Sequence, residues 1–114
     1  MSLSAEEKTR KEALAVAVAV SCSELNPLLG ARLLVRALHR LGLESDPRFL
    51  VLRGVDSESD DLPLEAGERA AWDPHALALK DREASAYSAK VEEAVRSACE
   101  ALVVALTEGG HGAA

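Results

Sequence analysis

Apolar and polar positions alternate along this chain mostly at helical spacing, and the stretches are bounded by recognisable start and stop signals. Ser4-Ala5-Glu6-Glu7 reads as a capping box, in which the Ser4 hydroxyl accepts from the Glu7 amide and the Glu7 carboxylate reaches back. A helix opening there puts Leu14, Val18, Cys22 and Leu25 on one face, at spacings of four, four and three. The strict Ala/Val alternation from Ala13 to Val20 also fits a strand, but the cap and the abundant alanine favour helix. Asn26-Pro27 opens a second helix, with Asn as cap and Pro in the first helical position. That helix runs to Leu41 and stops at Gly42. Leu34, Leu38 and Leu41 form its apolar face, and Arg32, Arg36, His39 and Arg40 fall on another side.

Asp46-Pro47 repeats the start signal before the apolar run Phe49 to Leu52, which reads as one or two helical turns or a buried extended piece ending at Gly54. Residues 55 to 71 read as an irregular acidic segment, because Leu62-Pro63 interrupts any helix passing through it. Trp72-Asp73-Pro74 is the third such start. Beyond it Tyr87, Val91, Val95, Ala98, Leu102 and Ala105 recur at three or four residues, with Arg82, Lys90, Glu93 and Glu100 off that stripe. Gly109-Gly110 is expected to end this long helix. The pattern predicts an all-α fold, a compact bundle of about four or five helices with one long C-terminal helix and an acidic irregular segment. Residues 1–108 read as a single helical domain and 109–114 as a flexible tail.

Composition narrows the function. Of 114 residues, 48% are hydrophobic and 28% charged, with one Trp, one Tyr and one Phe, which suits a soluble globular domain and leaves little for base or sugar stacking. Thirteen bases against 19 acids give a net charge of −6, so a broad nucleic-acid-binding surface is not expected. Residues 56 to 65 hold Asp56, Glu58, Asp60, Asp61 and Glu65 and no base; without them 14 acids face 13 bases. Nearly all the net charge therefore sits in one window, where an electrostatic function is to be sought.

Two cysteines far apart, Cys22 and Cys99, point to reduced thiols in a cytoplasm rather than a disulfide framework. Lys8, Arg10 and Lys11 ahead of the apolar run to Ser21-Cys22 suggest a lipoprotein-type leader. Glu6, Glu7 and Glu12 cancel that basic flank, and the run falls short of the ~20 residues of a membrane span, so no membrane association is expected.

Little chemistry is encoded. Asp56, Glu58 and Asp60 alternate as in a calcium loop, but Asp61 stands where the turn Gly belongs and Gly67 where the closing Glu belongs. His39, His75 and His111 are isolated, with no zinc spacing, and His111 reads as solvated. No nucleophile elbow, zincin motif or phosphate loop occurs, and Cys22 on an apolar face reads as a core residue. No catalytic residue, metal ligand or cofactor is assigned, and an enzyme is not expected. The arginine stripe of the second helix could grip phosphate, but a solvated face or a partner for the chain's own acidic segment is preferred.

The acidic window interleaves with Leu62, Pro63 and Leu64 and leads to Arg69 and Trp72. One reading is structural: the leucines and Trp72 pin the loop to the core, and Arg69 pairs with an acid. The other is a shaped acidic surface on an apolar floor for a basic protein partner, made of Asp56, Glu58, Asp60, Asp61, Glu65, Arg69 and Trp72. The block Val55-Asp56-Ser57-Glu58-Ser59-Asp60-Asp61-Leu62-Pro63, with Arg69 and Trp72, then Ala76-Leu77 and Lys80-Asp81 downstream and Gly30-Ala31-Arg32 upstream, resembles a family of small helical bacterial proteins of uncharacterised function. They share an acidic Ser-Glu-x-Asp-x-Leu-Pro block and a downstream Arg-x-x-Trp. The likeness covers roughly residues 28 to 100 and lends no catalytic residues. It implies a bacterial, cytoplasmic protein, an immunity-type binder that neutralises a toxin. The alternatives are a divalent-metal protein or metal-assisted enzyme using the acidic cluster, and a structural homo-oligomer subunit, with a homodimer as one partner arrangement.

Overall fold

A computed structural model describes residues 4 to 111, with side chains to residue 108. Every regular element among them is helical: α1 (Ala5–Ser21), α2 (Pro27–Arg40), a 3-10 turn (Pro47–Phe49), α3 (Leu50–Glu58), α4 (Ala66–Ala70) and α5 (Pro74–His111). This is the all-α bundle with a long last helix that the sequence predicts. The three Asx-Pro starts all operate. Asn26 Oδ1 accepts from the amides of Leu28 (2.8 Å) and Leu29 (3.3 Å), Asp46 Oδ1 from Arg48 (2.9 Å), and Asp73 Oδ2 from His75 and Ala76 (both 3.1 Å). Ser4 Oγ accepts from the Glu7 amide at 3.1 Å. Gly42 takes the left-handed φ of +73° that ends α2.

Three local expectations need correction. α3 continues through Gly54 to Glu58, and α4 forms within residues 66–70, so only part of 55–71 is irregular. α5 passes through Gly109-Gly110 to His111, so that pair does not end it; the rest of the expected tail, 112–114, and the His111 side chain lie outside the described residues. The buried face of α1 is Thr9, Ala13, Ala17 and Val20, whereas Val18 is 43% exposed and Cys22 caps the helix end in solvent. The phase shifts because α1 packs against both α2 and α5 through its smallest residues. Gly30 of α2 lies under Val20, where a Cβ would collide with the valine methyl. Close helix approach here outweighs burial of the larger Leu14 and Val18.

α2 is central, touching α1, α3 and α5. Its Leu28, Leu34 and Leu38 meet Phe49 and Leu52 and, from α5, Val95, Cys99 and Leu102 in one core. Burial pushes the Cys99 thiol up to about 11, with Glu100 adding to the effect. No helix among the described residues is long and apolar enough to cross a membrane.

A folded-back acidic segment as candidate functional site

The acidic window is built on a buried guanidinium. Arg32, in the middle of α2, is only 6% exposed, and its side chain reaches into the loop that joins α3 to α4. Nη2 donates to the carbonyl oxygens of Ser59 (2.7 Å) and Leu62 (3.3 Å), Nη1 to Glu68 Oε1 (2.8 Å), and Nε lies 3.5 Å from Asp56 Oδ1. The loop comes to it because Ser59 closes α3, fully buried, with its hydroxyl donating to the Val55 carbonyl at 2.7 Å. Leu62 then enters the core at 5% exposure, and Leu64 packs beside it. A planar fork with five donors suits two carbonyls and two carboxylates converging from different directions.

Glu68 completes this centre. Its Oε1 also accepts from the amides of Leu64 and Glu65, each at 3.2 Å. The Glu65 amide foremost, then that of Leu64 and the Arg32 guanidinium, hold its carboxyl below the usual glutamate value against the opposing effect of burial. One turn along α2, Arg36 pairs with Glu65 at 2.7 Å, while His39 pairs with Glu44. The arginine stripe is thus, in its first half, the partner of the chain's own acidic segment.

The seven residues expected to form a site divide. Asp56 and Glu65 are held by Arg32 and Arg36. Glu58 is exposed beside the Tyr87 phenol, which burial first and Glu58 second push up to about 12. Asp60 is exposed and has no ion-pair partner within 4.0 Å among the described residues. Asp61 is exposed and reaches Lys80 of α5 at 3.3 Å, a lysine shared with Glu83 at 3.2 Å. Arg69 clamps Asp81 of α5 through both nitrogens, at 2.7 and 2.9 Å, and donates to the Pro63 carbonyl at 3.1 Å. Trp72 is half-buried and stands outside the main apolar core, so it does not pin the loop as the two leucines do.

The sequence offered the pairing of Arg32 with the acidic segment, through the stripe, but not its burial. Sequence reasoning missed the roles of Glu68 and Asp81; Asp81 stands in the Lys80-Asp81 pair, and Glu68 carried no signal. Beside the Arg69–Asp81 pair an open groove of about 580 Å³ runs between Leu29, Leu64 and Ala84 towards Glu92. Among the described residues no group of three or more His, Cys, Asp or Glu side chains is placed to hold a metal ion. No family model matches this chain, and no curated protein or solved structure matches it.

Proposed function

We propose that this chain is a small protein-interaction module whose rim of exposed acids, Glu58, Asp60 and Asp61, docks a basic segment of another protein. The observation that carries the reading is the division of labour inside one acidic window. Asp56, Glu65 and Glu68 are neutralised from below by Arg32 and Arg36, and the backbone they fix presents the remaining carboxylates outward. Carboxylates on a fixed backbone lose little conformational freedom on binding, so each attracts a basic partner at reduced entropic cost. The groove beside Arg69 and the half-exposed Trp72 ring add apolar surface of the kind that anchors interfaces. Both cysteines are free, which suits a reducing cytoplasm, and the resemblance noted above extends the reading to an immunity-type protein that occupies a basic toxin domain.

The test is capture from lysate of the source cells with wild-type protein and with Asp60→Asn/Asp61→Asn, beside denaturant unfolding of each. The double variant should keep its stability within about 1 kcal/mol, since exposed charges contribute little. It should release, and bind with a weaker salt dependence, a basic protein that the wild type retains. Trp72→Ala should cost about 1–2 kcal/mol, less than a fully buried ring, and reduce retention of the same partner. Retention that is unchanged in the double variant, or a double variant that unfolds, would show the rim to be structural.

A further inference from the structure

The outer face of α5 carries a second pattern, separate from the stripe that fills the core. Lys90, Ala94, Ser97, Ala101, Val104 and Glu108 recur at spacings of four, three, four, three and four, which is a heptad seam five turns long. The seam is turned away from the core: Ala101 is half-buried, Val104 is 53% exposed, and the other four are exposed. Its composition is palindromic in character. Lys90 and Glu108 stand equally far from Cys99, as do Ala94 and Val104, and Ser97 and Ala101. A copy turned end over end about the level of Cys99 therefore meets opposite charge at both ends and a small or branched apolar side chain between. Neither Lys90 nor Glu108 has an ion-pair partner within 4.0 Å among the described residues, and Glu108 feels Arg48 only at longer range.

We propose that this face is a homodimer interface in which two α5 helices pack antiparallel about a two-fold axis level with Cys99, Lys90 of each copy against Glu108 of the other. An isologous contact requires a surface complementary to itself, and the reversed charges at the seam's two ends supply it. The partner is for that reason a second copy rather than a generic apolar segment. Alanine and serine at the crossing let the two axes approach to about 8 Å, the close end of helix packing. The neighbouring apolar surface widens the contact: Val51 of α3 lines a shallow groove with Ala94, Ser97 and Ala101, and both Val51 (37%) and Leu50 (45%) are exposed in the monomer. The seam shares no residue with the acidic rim, so the two proposals stand or fall separately.

Sedimentation equilibrium of the full chain from micromolar to millimolar concentration tests this. Wild type should show a monomer–dimer equilibrium. Lys90→Glu and Glu108→Lys should each weaken it by about tenfold, since each places like charges opposite at both ends of the seam. The double reversal Lys90→Glu/Glu108→Lys should restore the wild-type constant, an outcome that no loss of folding could imitate. Ala101→Arg, which fills the crossing, should remain monomeric throughout while keeping the wild-type helical circular dichroism. A chain that is monomeric at millimolar concentration, or a dimer indifferent to both single reversals, overturns the assignment.

Discussion

Arg32 is the residue on which the acidic segment depends. Its guanidinium is desolvated, and four acceptors lie around it: the carboxylates of Glu68 and Asp56, the Leu62 carbonyl, and the Ser59 carbonyl, which also accepts from the Leu62 amide at 3.0 Å. Removing the side chain strands the Leu62 carbonyl and leaves Glu68 and Asp56 without their cation. Arg32→Ala should therefore cost about 3 kcal/mol in urea unfolding, whereas Arg36→Ala, whose pair with Glu65 is half exposed, should cost under about 1 kcal/mol. Equal costs for the two would mean that burial of Arg32 carries no special weight. The sequence could not separate these arginines, because both sit on one polar stripe and the burial of Arg32 depends on acceptors 24 to 36 residues away. Asp60 and Asp61 were legible as surface charge, since isolated acids are exposed by default. Trp72 was not, because a lone aromatic in a turn has no periodicity to place it.

At the scale of the helix, legibility followed local chemistry. Asn26, Asp46 and Asp73 each act on amides two or three residues away, so their starts were readable from short words. α4 was not, as its five residues follow Glu65, neither a Pro nor a short polar cap, and lean on Glu68. The face of α1 was misread for a different reason: alternating Ala and Val offer little contrast in hydropathy, and which ones turn inward is settled by how near α2 can come. The glycines make this testable. Gly30→Ala drives a methyl into Val20 across the α1–α2 contact and should cost about 1–3 kcal/mol. Gly54→Ala, on the open face of α3 where nothing lies within 4 Å, should instead stabilise by about 0.5–1 kcal/mol through helix propensity. Thermal unfolding of both variants reads the two signs directly. Two shifts of the same sign would contradict the close packing of α1 on α2.

For the molecule as a whole, charge acts as internal bracing as much as display. Arg48 holds the Asp46 carboxyl below its ordinary value of 3.8, Arg69 does the same for Asp81, and the Glu65 amide with its neighbours holds Glu68 below 4.5. Carboxyls depressed by folding take up protons more readily in the unfolded chain, so their contribution is complete above the ordinary carboxylate values and is lost as pH falls through the folded ones. The urea midpoint should be level between pH 7 and pH 5 and fall as the pH drops below the ordinary carboxylate values, through the lowered values of these groups. A midpoint unchanged at pH 3 would show that the bracing contributes nothing. The same bracing fixes an order of assembly on the ribosome. The α1–α2 hairpin is made first and carries Arg32 with it, but the acceptors that satisfy that buried cation are translated 24, 27, 30 and 36 residues later. Until Glu68 has left the exit tunnel that guanidinium keeps its water: the segment that buries it is the one that brings its acceptors, so this side of α2 closes only when the acidic segment arrives.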